Sequence, residues 1–151
     1  MRADTQFSVF LVNKPGVLAQ VTESIAKAKV NIVALTMMDS SEHGVLRFVC
    51  DDAGRAREVL RRNHDNWTET EVLAMHLKNE PGALAAVAQR LADAHINISY
   101  AYTSGGAPGG RTTCIFKVAD LKKATKLLAG MNGAEKPARR QNIRRSPAAR
   151  R

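Results

Sequence analysis

Two stretches of this chain repeat one arrangement of groups able to hold a small charged molecule: Asn13-Lys14-Pro15-Gly16-Val17-Leu18-Ala19 and Asn79-Glu80-Pro81-Gly82-Ala83-Leu84-Ala85. Proline, with its fixed φ and no N–H, suits the first turn of a helix, so each stretch reads as a corner where a strand gives way to a helix. The first N–H groups of that helix have no partner within it, and with the helix dipole they favour an anion. Gly16 and Gly82 permit close backbone approach. The Asn13 and Asn79 amides offer donors and an acceptor together, which suits a molecule carrying both charges. Further along each copy, Asn31-Ile32 and Asn97-Ile98 add a second amide. All four asparagines also have structural uses: Asn13 and Asn79 can end a strand and satisfy a helix start, and Asn31 and Asn97 can turn the chain through left-handed backbone. Both uses stay open at the level of sequence.

Little else in the chain suggests chemistry. His43, His64, His76 and His95 fall in different segments with no metal-ligand spacing, so no metal site is expected. Cys50 and Cys114 each sit within an apolar stretch and read as buried, reduced thiols. The glycine-rich run at 104–110 lies between two strands and opens no helix, so it reads as a hairpin loop and not a phosphate cradle. No nucleophile, base and orienting group occur in a recognisable set; neither catalysis nor a cofactor is expected.

The corners belong to a longer internal repeat. Residues 13–32 and 79–98 are identical at ten of twenty positions, at an offset of 66. The offset later becomes 68, pairing Asp52 with Asp120, Ala56 with Ala124 and Leu60 with Leu128, so the second copy carries two extra residues, which fit in the 104–110 loop. Each copy reads as β-α-β-β-α. First strands are predicted at Gln6–Val12 and Glu71–Lys78, second strands at Val30–Met37 and Ile96–Tyr102, and third strands at Val45–Cys50 and Thr112–Val118. Leu18, Val21, Ile25 and Ala28, with Leu84, Val87, Leu91 and Ala94, predict one buried stripe on each first helix. Asp52 and Asp120 are the expected caps of the second helices, whose inner faces carry Ala56, Val59 and Leu60, and Ala124, Leu127 and Leu128. Trp67–Thr70 can supply a fourth strand to the first copy; the residues after the second copy give little strand signal. The expected fold is therefore α+β, with two ferredoxin-like βαββαβ modules, antiparallel sheets and helices on one face. The modules are placed at residues 1–70 and 71–134, followed by a disordered basic tail at 135–151.

The 151 residues, 44% hydrophobic and 25% charged, can bury a core. Of the formal charge of +9, residues 135–151 carry +6, from seven Lys/Arg against Glu135, which leaves +3 for residues 1–134. That tail has no aromatic residue on which a base could stack, and nucleic acid is not the expected partner. No membrane span or signal peptide is visible, and a cytoplasmic, reducing location is expected.

The doubled Asn-x-Pro-Gly-x-Leu, followed by Val/Ile-Asn-Ile, resembles the ACT-domain family, and among its members the amino-acid-binding regulatory domain of phosphoglycerate dehydrogenase. The resemblance covers about residues 5–130. It implies βαββαβ modules that pair side by side, with a free amino acid bound at interfaces between modules, and hence a regulatory sensor. The ligand-binding set it implies is Asn13, Pro15, Gly16, Val17, Leu18, Asn31 and Ile32 in the first copy and Asn79, Pro81, Gly82, Ala83, Leu84, Asn97 and Ile98 in the second. Leu35 to Met37 and Tyr100 to Tyr102 are further candidates for the pocket walls, whose apolar character favours an aliphatic or aromatic amino acid. Lys14 against Glu80 makes the two loops opposite in charge, so two equivalent sites are not expected. Exposed sheet edges and small cores suggest a homodimer. The alternative function is a ligand-independent regulatory subunit that docks on an amino-acid-biosynthesis enzyme such as acetolactate synthase.

Overall fold

The computed structural model describes residues 1–38, 43–64 and 66–131; the basic tail expected at 135–151 lies outside them. The elements run β1 (Arg2–Val12), α1 (Val17–Lys27), β2 (Ile32–Met38), β3 (His43–Cys50), α2 (Ala53–Asn63), β4 (Trp67–Lys78), α3 (Ala83–Asp93), β5 (Ile98–Ser104), β6 (Arg111–Val118) and α4 (Leu121–Leu128), then a 3₁₀ turn at Ala129–Met131. The β-α-β-β-α order holds in both halves. The carboxylates of Asp52 and Asp120 cap α2 and α4 as expected, accepting from the Arg55 N–H at 3.0 Å and the Lys123 N–H at 2.9 Å. Val21 and Ile25 in α1, and Val87 and Leu91 in α3, are buried as the stripes predict. Leu18 and Leu84 are not: in the first turn of each helix, they stand 37% and 45% exposed.

The halves share one sheet. Its order is β2-β3-β1-β4-β6-β5, antiparallel throughout. Trp67–Thr70, the fourth strand of the first half, continues without a break into Glu71–Lys78, the first strand of the second, as the single strand β4. On the other side of the dyad β1 does the same. Gln6–Val9 pairs with Thr70–Trp67, while Arg2–Thr5 pairs with Ala74–Glu71. The start of β1 thus occupies the fourth-strand place of the second half, for which the sequence after α4 gave no candidate. Met1 accordingly packs against the second core.

Register places all four helices on one face. Phe7, Val9, Leu46 and Phe48 meet α1 and α2, with Trp67 against Phe7, and Leu73, Met75, Cys114 and Phe116 meet α3 and α4. The opposite face is closed by the sheet itself, which curls until its edge strands β2 and β5 touch. Inside the curl, Ala34, Val49, Val72, Ala74 and Ile115 form a third small core. Beside it lies a polar cluster. Fully buried Gln6 donates from Nε2 to the Tyr100 hydroxyl at 2.8 Å and to Ser8 Oγ at 3.2 Å, and its Oε1 accepts from the Tyr102 hydroxyl at 3.0 Å. The Arg47 guanidinium lies 4.1 Å from the centre of the Tyr100 ring, a cation–π contact. These bonds run from β1 and β3 to β5, so they tie one half to the other. Burial in the curl raises the Tyr102 phenol above its usual range.

Removing Met1–Asp4 is expected to destabilise the second half first. The lost Met1 packing is worth on the order of 2 kcal/mol, and native-state hydrogen exchange would read lower protection at Leu73–Met75 than at Leu46–Phe48. Protection at Leu73–Met75 unchanged from that of the full chain would argue that the removed segment is dispensable there.

Candidate functional site

Each corner turns through glycine. Gly16 has φ 88° and ψ −18°, and Gly82 φ 87° and ψ −16°, so the two repeats keep the same left-handed step, which side chains disfavour. As N-cap residues the glycines bring no side chain. Neither α1 nor α3 has a side-chain cap or an acidic residue in its first turn, whereas α2 and α4 are capped by aspartate. The one chain therefore contains two helix starts capped by a side chain and two without one, where the Val17 N–H donates to the Lys14 carbonyl at 3.4 Å and the Ala83 N–H to the Glu80 carbonyl at 3.3 Å. A Cβ at Gly16 or Gly82 would meet nothing within 4 Å, so the space over both corners is open.

The second corner borders a cleft of about 250 Å³. Its walls are Leu77, Lys78, Asn79, Glu80, Ala83 and Leu84 from the corner, Thr103, Gly105 and Gly106 from β5 and the hairpin, and Thr112 and Cys114 from β6. Asn79 is half-buried and faces the hairpin: its Nδ2 donates to the Gly106 carbonyl at 2.7 Å and the Ala107 carbonyl at 3.2 Å. Burial raises the Cys114 thiol, and it lifts Cys50, in the first core, to about 11. Both are free thiols, as read from the sequence, and both are held protonated and inert at neutral pH. At the first corner Asn13, Lys14 and Pro15 are exposed and Val17 is half-buried. Residues 39–42, between β2 and β3, lie outside the described residues.

The second asparagine of each copy stands away from the first. Asn31 and Asn97 follow α1 and α3, each about 16 Å long, so in either half the two asparagines sit at opposite ends of a helix. Asn31 is exposed; its N–H donates to Asp51 Oδ1 at 2.9 Å and its carbonyl accepts from the Asp51 N–H at 3.1 Å. The Asn97 carbonyl accepts from the Ala119 N–H at 3.0 Å, and Asn97 borders a shallow depression with Ala88, Ala92 and Ile98. Neither Asn31 nor Asn97 lines the 250 Å³ cleft. Because β2 runs parallel to β1 and antiparallel to β4, Asn31 shares its end of the sheet with the second corner, and by the same pairing Asn97 shares its end with the first. Tyr100 and Tyr102 point into the curl and bind Gln6, away from the cleft. The sequence reading missed Thr103, Thr112 and the hairpin as walls; the available signal was the extra length and four glycines of 105–110. Among the described residues no group of three or more His, Cys, Asp or Glu is placed to hold a metal ion.

A fused pair of βαββα units with two open strand-to-helix corners defines a class of paired regulatory modules. The chain matches the family model described as an ACT domain pair over residues 3–132. It is similar to the crystal structure of a Bacteroides thetaiotaomicron protein at 30% identity and TM-score 0.78, over 85% of this chain and 88% of that one. At the level of fold it is also similar to the ligand-free regulatory subunit of aspartate kinase from Thermus thermophilus, at 14% identity and TM-score 0.63, covering 86% and 93% of the two chains. The regulatory subunit of aspartate kinase from Thermus flavus gives 18% identity and TM-score 0.58, covering 85% and 93%. No curated protein sequence matches significantly. The chain belongs to the ACT-domain-pair family, whose general role is regulatory and amino-acid-binding.

Gly16→Ala and Gly82→Ala are each expected to cost roughly 1–2 kcal/mol in denaturant unfolding, from the left-handed backbone alone, since the added methyl meets open space. A loss near zero would mean that the corner relaxes to another conformation.

Proposed function

We propose that this protein binds a free amino acid at its bare corners and passes that occupancy to a partner. The observation that carries the reading is the contrast between the aspartate-capped starts of α2 and α4 and the uncapped, open starts of α1 and α3. An amino-acid carboxylate accepts from the first-turn N–H groups that follow Val17 and Ala83; backbone carbonyls near the corner suit the ammonium. At the second corner Leu77, Ala83, Leu84 and Cys114 offer an apolar wall, which favours an aliphatic side chain. Lys14 and Glu80 give the two corners opposite local charge, so the affinities differ. The ligand set read from the sequence, with Asn31 and Asn97 reaching a corner of a neighbouring module or a second copy and Asn79 in the wall of the second cleft, belongs to this proposal, as does the likeness to the phosphoglycerate dehydrogenase regulatory domain.

The downstream partner in this reading is a metabolic enzyme, as the regulatory subunit of aspartate kinase serves its own enzyme, and the working form is a homodimer. Phe10 and Met38, each about half exposed, flank Val45 in one row across β1, β3 and β2 on the face away from the helices. This row supports self-association. Two free thiols suit a reducing, cytoplasmic setting, and no described helix is long and apolar enough to cross a membrane.

Calorimetric titration with the twenty amino acids is expected to give heat for at least one, at millimolar affinity or tighter. Leu18→Glu with Leu84→Glu should abolish that heat without lowering the melting temperature, because a carboxylate in the first turn repels the ligand yet suits the helix dipole. Silence from all twenty would sink the proposal, and undiminished heat in the double variant would move the site elsewhere. Sedimentation of the same samples should report a dimer; the mass of a single chain at all concentrations would remove that part.

A further inference from the structure

We infer that Asn79 is a positioning residue, which builds the second corner's cleft by anchoring its opposite wall and does not itself hold the ligand. Four hydrogen bonds join this one residue to the 105–110 hairpin. Its backbone N–H donates to the Gly110 carbonyl at 2.8 Å, and its own carbonyl accepts from the Gly109 N–H at 3.2 Å. Both side-chain bonds run outward from Nδ2, to the carbonyls of Gly106 and Ala107. The amide is thus used as a donor, toward two oxygens that converge on it.

The hairpin is shaped for this grip. A Cβ on Gly106 would collide with the Arg111 carbonyl oxygen, Gly109 lies at φ +74°, and a Cβ on Gly110 would stand 3.0 Å from the Ala107 carbonyl oxygen. The Gly110 N–H donates to the Ala107 carbonyl at 2.9 Å, and Thr112 Oγ1 donates to the Ser104 carbonyl. Gly105 and Gly106 then form the wall facing Ala83 and Leu84 across the cleft. Release of the Asn79 amide takes this donor from the Gly106 carbonyl, leaves the Ala107 carbonyl with the Gly110 N–H alone, and leaves the wall held by backbone bonds. The first copy has Asp39-Ser40-Ser41-Glu42 and no glycine run at the matching place in the sequence, so the glycine-shaped hairpin distinguishes the second copy.

The part of this inference that concerns a ligand rests on the amino-acid reading above; the anchoring does not. The test compares Asn79→Ala with Asn79→Asp in the full chain. Aspartate keeps the acceptor oxygen of the side chain but replaces the donor NH2 with a second oxygen, setting a carboxylate against two carbonyl oxygens. Hydrogen exchange of the unliganded protein should show protection of the Gly109 and residue-79 amides falling about tenfold in Asn79→Ala, the size of one net hydrogen bond, and further in Asn79→Asp. Amides of β1 and β3 should be unchanged in both. Amino-acid affinity at this corner should fall in the same order, aspartate below alanine, with the melting temperature nearly constant. If Asn79 instead met the ligand's ammonium through its oxygen, Asn79→Asp would bind as well as the native protein or better, with the hairpin's protection intact; that pattern overturns the inference. Where no amino acid binds the native chain, the exchange data alone decide: unchanged hairpin protection in both variants also overturns it.

Discussion

The antiparallel ladder between β1 and β4 is the constraint on which the rest of this molecule depends. Both strands are long, and each serves both halves: Gln6–Val9 with Trp67–Thr70 completes the first, Arg2–Thr5 with Glu71–Ala74 the second. Half-domains of about 65 residues are marginal alone. Sharing strands removes two edges that separate modules would expose and puts four helices on one face of one sheet. The curl of that sheet then covers the second face, where Gln6, Tyr100 and Tyr102 form a polar bridge between halves. Leaving such buried hydroxyls without a partner costs about 1–3 kcal/mol each, so the bridge favours one arrangement of the halves over looser ones.

From the same ladder follows the placement of the corners. β1 and β4 run in opposite directions, so the Gly16 and Gly82 corners open at opposite ends of the sheet, and each lies at the end where the other half starts its second strand. The cleft at the second corner is itself lined by residues of the second half alone. Occupancy can be transmitted only through a difference in affinity between two arrangements, and the seam where β2 meets β5 without a backbone ladder is where the halves are joined by side chains alone. The Asn79-anchored hairpin continues β5, so the wall of the second cleft and that seam belong to one element.

Much of this was legible in the residues. Pro-Gly after an apolar strand marked both corners, Asp52 and Asp120 marked both capped helices, and the 66- and 68-residue offsets located the hairpin that carries the difference. Trp67–Thr70 leading into Glu71–Lys78 was readable as strand next to strand. The start of β1 was not: Arg-Ala-Asp-Thr lacks the apolar alternation that signals a half-buried strand, since only its pairing with Glu71–Ala74 and the packing of Met1 hold it there. The fusion of two expected sheets into one escaped for the same reason, because a ladder between residues some 60 to 70 positions apart leaves no local pattern. Tyr100 and Tyr102 looked like pocket walls by spacing, yet the curl turned them inward toward Gln6. At the site, asparagine type was visible but direction was not: which end of the Asn79 amide is engaged depends on two hairpin carbonyls 27 and 28 residues away.

The shared ladder makes a direct demand on stability. If β1 and β4 fuse the halves, amides of β2–β3 and of β5–β6 should open together, with the same free energy and the same denaturant dependence in native-state hydrogen exchange. Two separate opening energies, with one half exchanging while the other stays closed, would contradict the account.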